Sequence, residues 1–412
     1  MKSSAAAFGF QVVGRHVLKD DKGGNTPNGK IRIAAIGVGG RGGANLGAMA
    51  GEDIVALCDV DERRAAHSYN KFPKAKRFND FRKMYDAMGD QIDAVLVATP
   101  DHTHAVQIMG AIGRGKHVYS EKPLAINLSD GIRLIKLAKK KKLYVGNAPD
   151  TFLGGGIQKS REHLDKKTIG NVKFGNAIFA YPGVQSYHPN PEPWFAKKEG
   201  GPVIDMGPYY LTALVNLLGP AKQVWGSFMW NKKKRIIGIG PRKGSSIKVL
   251  CPTTYLGTIF FNSGAIIRFT LSFDVIAHHR NHIELYGSKG SILVPDPNMF
   301  GGSVYTCKKL GGAWKEHKTN KMYLGKINIR QKSLRANEAP INANYRGVGL
   351  AEMAYCIQNN KKHRCNGDLS FHVLDIIQSI MIAAKKRKRI NIKSSCSIPK
   401  KFSSTEIRKI LK

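Results

Sequence analysis

Hydrophobic and polar positions follow two different patterns along the 412 residues. From residue 30 to about 147, short continuous apolar runs alternate with amphipathic stretches. IRIAAIGV is continuous, apolar and β-branched, the pattern of a strand buried on both faces. DIVALCDVD, IDAVLVATP (stopped by Pro100), KHVYSEKP and LYVGNA read as further strands. Between them, ANLGAMAG, residues 62–72, THAVQIMGAIGRG and SDGIRLIKLAKKK read as helices. The third ends in glycine, a common C-cap, and the last is expected to start at Ser129 or Asp130. Strands that alternate with helices predict a parallel, doubly wound sheet, hence an α/β domain.

After about residue 150 the pattern changes. GIQKSREHLDKKTIG reads as a helix with a glycine stop. Longer strands follow in NVKFGNAIFAYPG and QVWGSFMW. YLGTIFF-NSG-AIIRFTLSF and HIELYG-SKG-SILVP read as hairpins, with Gly264 and Gly290 in the turns. Two late helices are expected over 344–358 and 370–385. This second region predicts an antiparallel or mixed sheet with helices on one side, an α+β domain. The expected organisation is a leader-like or disordered arm at 1–29, a nucleotide-binding domain at 30–149, a substrate and oligomerisation domain at 150–392, and a basic tail at 393–412.

Composition narrows the function classes. Apolar residues make up 42%, enough for a substantial core. No run of eighteen apolar residues occurs, so no membrane-crossing helix is expected. Six scattered cysteines without a CxxC pair argue against a disulfide scaffold or zinc ribbon and favour a reducing compartment. Residues 4–13 of the arm read SAAAFGFQVV, the tail end of an export signal in character, yet no twin arginine precedes it. Cytoplasmic location is expected, with export as the alternative. The net charge of +37 would attract polyanions. Its basic runs, at 139–142, 232–235 and 385–389, lie far apart and lack interleaved aromatics. They read as solvated faces, and nucleic acid is not expected as a partner.

Three segments carry chemistry. Gly37-Val38-Gly39-Gly40-Arg41-Gly42 is a GxGxxG that follows a strand and opens a helix. Gly37 permits the tight turn, Gly39 lets the backbone approach a pyrophosphate, and Gly42 lets helix and strand pack closely. The helix start offers free N–H groups to phosphates. Asp59 ends the next strand, placed to accept from both ribose hydroxyls, which favours NAD over NADP; Arg63 and Arg64 weaken that preference. Thr99-Pro100-Asp101-His102-Thr103-His104 lies at the carboxyl end of another parallel strand, where His102 and His104 can line a cofactor or simply serve the next helix. Glu121-Lys122-Pro123 faces the same end of the sheet. Lys122 there can bond a substrate hydroxyl and help take its proton, while Pro123 shapes the turn in trans or cis. No HExxH, paired cysteines or aspartate-rich loop points to a metal.

GVGGRGG, CDVD, VATPDHTHA and GKHVYSEKPL together resemble the glucose–fructose oxidoreductase / inositol dehydrogenase / rhizopine catabolism (Gfo/Idh/MocA) family. The resemblance continues through APDTFLGGGIQ, GGPVIDMGPYYLTALVNLLGP, YGSKGSILVPDPNMFGG and HRCNGDLSFHVLDII, about residues 30–392. It implies a Rossmann domain followed by an α+β domain with a large open, mostly antiparallel sheet. It also implies an NAD(P)-dependent oxidoreductase of a sugar, inositol or related polyol, forming dimers or tetramers. Lys122 matches the family's catalytic-site lysine, and Asp205 the aspartate of its D-x-G-x-H element. Here that element reads Asp205-Met206-Gly207-Pro208-Tyr209, with tyrosine where histidine is usual. Tyr209, Tyr210 or His188 then compete with Lys122 for the acid–base role, and Asp205 would position a hydroxyl or keep Lys122 charged. The expected cofactor is NAD, with NADP the alternative. Redox-neutral glycosidase chemistry and a non-catalytic NAD- or sugar-binding regulator are the rival readings.

Overall fold

The computed structural model describes residues 29–49, 51–330 and 341–411. The leader-like arm expected at 1–29 therefore lies, apart from Gly29, outside the described residues. The chain divides into two units, one running to Asp150 with Arg346–Phe371 and Ser403 onward, the other Thr151–Tyr345 with His372–Phe402.

The first unit alternates β1 (Arg32–Ile36), α1 (Arg41–Leu46), β2 (Asp53–Cys58), α2 (Glu62–Lys71), β3 (Lys76–Phe78), α3 (Phe81–Met88), β4 (Ala94–Val97), α4 (His104–Gly113), β5 (His117–Ser120), α5 (Leu128–Lys141) and β6 (Val145–Asn147). All pairings are parallel, in the order β3-β2-β1-β4-β5-β6. The strand order reverses between β1 and β4. A crevice opens there at the carboxyl ends, because the loops after those two strands leave to opposite faces. β4 and β5 are buried at every position; β4 is the unbroken apolar run AVLV, while β5 also buries the polar His117 and Ser120.

Three local details differ from the sequence reading. Helix α5 is capped by Asn127, whose side chain accepts from the Asp130 N–H at 2.9 Å, so Ser129 and Asp130 lie inside its first turn. The segment after the glycine loop is a six-residue α-helix followed by a 3-10 turn over Gly47–Met49. Lys76–Phe78 and Phe81–Met88 had no counterpart in that reading.

The second unit carries α6 (Gly155–Asp165), β7 (Val172–Ala180), α7 (Glu192–Phe195), α8 (Pro202–Asp205), α9 (Gly207–Leu218) and strands β8 (Ala221–Met229) to β16. The intervening strands are β9 (Lys234–Ile236), β10 (Ser246–Lys248), β11 (Thr254–Phe261), β12 (Ile266–Ser272), β13 (Ile283–Gly287), β14 (Gly290–Val294), β15 (Val304–Cys307) and β16 (Lys315–His317). Short strands β17 (Ile329–Arg330) and β18 (Ile341–Asn342) pair with each other. With β19 (Ile390–Asn391), a nine-stranded sheet runs β16-β15-β14-β13-β7-β12-β11-β8-β19, antiparallel except for the β7–β12 pair. Both expected hairpins form, with Gly264 at φ +87° in the first turn.

The two sheet faces differ because side chains alternate. On one face Val224, Ile259, Ile267, Ala177, Leu285 and Ile292 are buried, and α6 and α9 pack on that side. Every residue of α9 is buried. On the other face the register aligns Trp225, Thr258, Arg268, Asn176, Glu284 and Leu293 in one row. The adjacent row includes Phe260, Ile266, Phe174 and Tyr286. Trp225, Ile266 and Phe174 are exposed there.

The first unit regains the chain at α10 (Val348–Gln358) and α12 (Ser404–Leu411), while α11 (Gly367–Lys386) begins in that unit and continues into the second. Helix α10 starts later than expected because Gly347 sits at φ +102°, outside helical space, with its N–H on the Asp150 carboxylate at 2.8 Å. Within residues 393–412, α12 is opened by a reciprocal cap. Ser403 Oγ accepts from the Glu406 N–H, and Glu406 accepts from the Ser403 N–H. Among the described residues, α11 is long and apolar enough to cross a membrane by length and composition, and 72% of that stretch is buried in the fold as a core helix. None of the six cysteines forms a disulfide.

Candidate functional site

In the first unit the glycine loop is shaped by contacts that exclude side chains. Gly37 turns at φ +81° and donates its N–H to the Cys58 carbonyl at 2.8 Å, tying the loop to the end of β2. A Cβ on Gly42 would lie 1.9 Å from the Gly37 carbonyl oxygen, and one on Gly39 would lie 2.9 Å from Arg64 Cβ. Gly40, at φ +79°, is exposed and precedes Arg41, the exposed first residue of α1. The six-residue α1 has a small dipole, so backbone N–H groups of the loop carry the anion-binding capacity.

Asp59 is anchored for its expected task. One carboxylate oxygen accepts from the Gly39 N–H at 2.9 Å and the other from the Asp61 N–H at 3.0 Å. A carboxylate offers about four lone-pair sites, so roughly two remain for ribose hydroxyls. This cradle of glycines with an aimed carboxylate fits a dinucleotide. Arg64 lies along the loop, its Nη2 3.9 Å from where a Gly40 Cβ would sit, and Arg63 points to solvent. With His67 and Lys71, Arg64 walls a cleft of about 280 Å³ between α1 and α2, floored by Gly40, Gly43 and Gly47.

The β4 loop places Thr99 half-buried, its hydroxyl donating to Gln107 at 2.6 Å, beside the exposed Pro100 and His102. His104 is fully buried at the start of α4. Its Nδ1 lies 2.8 Å from the Pro123 carbonyl and its Nε2 2.8 Å from the Thr99 carbonyl. The ring therefore ties the β4 turn to the β5 turn and has no free edge for a ligand. After β5, Glu121 accepts from Asn45 Nδ2 at 2.7 Å, and its carbonyl accepts from Asn147 Nδ2 at 2.8 Å. Half-buried Lys122 follows, and the Lys122–Pro123 peptide is cis. Asn45 and Asn147, which brace this turn from α1 and β6, stand in no recognisable motif.

The second unit carries the other four candidates, Asp205, Tyr209, Tyr210 and His188. Asp205 ends α8 half-buried, and Tyr209 stands buried in the first turn of α9, four residues on across a helix junction. The start of α8 is tight, since a Cβ on Gly201, at φ +90°, would meet the Pro252 carbonyl at 2.5 Å. His188 is half-buried in the loop before α7. Its ring lies 4.9 Å from that of Trp194, and Nδ1 accepts from the Asn190 N–H at 3.1 Å. The loop is held by buried Arg235, which donates to the Pro182 carbonyl at 3.0 Å, pairs with Asp274, and lies 4.9 Å from the Phe195 ring centroid. Tyr210 is buried, with its hydroxyl 2.8 Å from His282 Nδ1. Sequence reasoning passed over Arg235, read only as part of the basic run 232–235, and His282, read only as the first residue of the hairpin strand HIELYG. Among the described residues no cluster of metal-ligating side chains occurs.

Residues 31–148 match the model of the oxidoreductase family with an NAD-binding Rossmann fold, and residues 157–293 match the GFO/IDH/MocA C-terminal domain. The chain is 28% identical over 253 residues to a dTDP-3,4-didehydro-2,6-dideoxy-alpha-D-glucose 3-reductase of Saccharopolyspora spinosa, covering 58% of this chain and 69% of that protein. It is 26% identical over 269 residues to a myo-inositol 2-dehydrogenase of Thermotoga maritima, covering 64% and 74%. Its fold resembles that of an Agrobacterium radiobacter oxidoreductase solved with NAD+, L-tartaric acid and magnesium, with a TM-score of 0.71 at 15% identity over 88% of this chain and 98% of that one. The strand order, the glycine cradle and the matched models agree: the first unit is an NAD-binding Rossmann domain, and the chain belongs to the GFO/IDH/MocA family of oxidoreductases.

Proposed function

We propose that the protein is an NAD-dependent dehydrogenase of a sugar, inositol or related polyol. The observation that carries the cofactor half is the Asp59 carboxylate, held by the Gly39 N–H at the mouth of the glycine loop with acceptor sites to spare. A carboxylate there accepts from a ribose diol and repels a 2′-phosphate. The cationic wall of Arg64, His67 and Lys71 beside the loop supports NADP as a second cofactor. The substrate half draws on the relatives, which are named for a deoxysugar nucleotide and for myo-inositol.

When bound, NAD supplies the two-electron acceptor for oxidation of a secondary alcohol. The residues of the chain then have separable tasks. The Lys122 ammonium holds the reacting oxygen and stabilises negative charge on it. Asp205 accepts from a neighbouring substrate hydroxyl. The hydroxyl proton passes to Tyr209 or His188, or to Lys122 where it is the neutral amine instead of the ammonium.

The test is a nicotinamide fluorescence titration with NADH and NADPH, followed by a panel of inositols, hexoses and nucleotide sugars. Saturable NADH binding and oxidation of a panel member are expected. NADH binding with no conversion of any member would reject the dehydrogenase reading in favour of a binding protein.

We further propose that a second copy of the chain covers the exposed face of the nine-stranded sheet. Arg268 and Glu284 stand on either side of Asn176 in one row, on the strands flanking β7. A two-fold axis along β7 would set Arg268 of each copy over Glu284 of the other, with Trp225, Ile266 and Phe174 buried around them.

A further inference from the structure

The motif helix α9 carries a tyrosine where a histidine is expected, but the fold brings a histidine to its next residue. His282 lies just before β13, and its Nδ1 is 2.8 Å from the Tyr210 hydroxyl. The same nitrogen is 3.8 Å from Asp296 Oδ1, in the segment after β14. The His282 side chain is 42% exposed, so this triad joins a buried phenol to an imidazole that meets solvent. Among the described residues no group bonds its Nε2. The triad also continues into an aromatic wall. Tyr210 lies 6.0 Å from Phe179 at the end of β7, Phe179 stacks on Tyr181 at 6.0 Å, and Tyr181 meets Tyr187 at 6.2 Å, beside His188.

We propose that His282 is a further catalytic residue of the dehydrogenase reaction, binding the reacting oxygen of the substrate through Nε2 and exchanging its proton, with Tyr210 and Asp296 holding the ring. The proposal rests on the dehydrogenase reading. Burial and the Asp296 charge hold the Tyr210 phenol well above its ordinary range, so it stays protonated. A phenol hydroxyl donates to a bare Nδ1 and accepts from an Nδ1–H, which leaves both neutral ring tautomers satisfied in place. For oxidation, the Nδ1–H tautomer presents Nε2 as acceptor. The carbinol carbon loses its hydrogen with two electrons to NAD+, and the hydroxyl proton goes to Nε2, so that His282 takes the base role in place of Lys122, Tyr209 and His188. The imidazolium then has Asp296 as its countercharge and releases the proton to solvent through the exposed edge. Besides Tyr210 from α9 and Asp296, the charged or titratable neighbours along the ring's own loop are His278, His279 and Arg280.

The test compares the wild type with His282→Gln and Asp296→Asn. The readouts are NADH fluorescence titration, kcat and KM for the panel member that the wild type oxidises, and nitrogen NMR of the histidine rings across pH. For His282→Gln a roughly 10²–10³-fold fall in kcat is expected, with loss of the acid limb of the pH profile and unchanged NADH affinity. Asp296→Asn is expected to lower kcat by a smaller factor and to change the His282 ring-nitrogen NMR signature with NADH affinity unchanged, since the carboxylate 3.8 Å from the ring is gone. A His282→Gln variant that keeps both kcat and the acid limb would overturn the proposal alone. A wild type that binds NADH and oxidises no panel member overturns the dehydrogenase reading, and this proposal with it.

Discussion

A single methyl group at position 42 tests the glycine cradle. In Gly42→Ala the new Cβ would lie 1.9 Å from the Gly37 carbonyl oxygen, 3.0 Å from its carbon and 3.1 Å from Ala98 Cβ. Comfortable heavy-atom contacts begin near about 3.5 Å, so the loop and helix must separate by more than about 1 Å. Gly37 cannot yield cheaply. Its N–H is bonded to the Cys58 carbonyl at 2.8 Å, and the space a Cβ of its own would need is filled by the Ala98 carbonyl at 2.7 Å. Overpacking of this kind costs about 1–3 kcal/mol. For a unit of this size that lowers the melting temperature by about 2–4 °C per kcal/mol. Dinucleotide affinity falls further, because the displaced N–H groups no longer meet the pyrophosphate; a misplacement near 1 Å costs up to about a hundredfold. Circular dichroism melts and NADH fluorescence titration measure both effects. Gly113→Ala is the control, since a Cβ there meets nothing within 4 Å at the end of α4. A Gly42→Ala variant with an unchanged melting temperature and NADH affinity would refute the argument from close approach.

Four further outcomes are expected. Asp59→Ala weakens NADH more than NADPH, because it removes a ribose acceptor and a charge that repels phosphate; equal losses in the two titrations would contradict that role. Lys122→Met abolishes turnover while NADH fluorescence still titrates normally, and retained turnover would remove the lysine from the chemistry. Burial, aided by the positive charge of neighbouring His363, holds His117 down at about 3, and burial holds His363 at about 4, both below the ordinary 6.5. The unfolded chain then takes up protons first, so the stability present above about pH 6.5 is lost as pH falls toward those values, on the order of several kcal/mol. Urea midpoints at neutral pH and near pH 5 measure the loss, and equal midpoints would disprove it. Trp225→Glu, on the exposed sheet face, is expected to convert a dimer to a monomer in sedimentation experiments, and an unchanged mass would place the interface elsewhere.

The glycine loop, the Asp59 strand end and the strand–helix alternation were legible because they are local. Chain reversal at Gly37, the close approach at Gly42 and two-sided burial of β4 each impose a residue type at one position or a short run. The cap of α12 was equally local: Ser403 followed three residues later by Glu406 is a readable capping box that the basic character of the tail obscured. Other features depend on segments far apart in the chain. His104 sits in a loop that suggests ligand contact, yet packing against the Pro123 turn nineteen residues away buries both nitrogens on carbonyls. Tyr210 and His282 are seventy-two residues apart and meet only because β7 lies beside β13 under helix α9. Local backbone chemistry is set by neighbours within a few residues, and a linear pattern records it. Which side chains share a face of the sheet, and therefore which protons they can exchange, follows from strand order and register, which no short window contains.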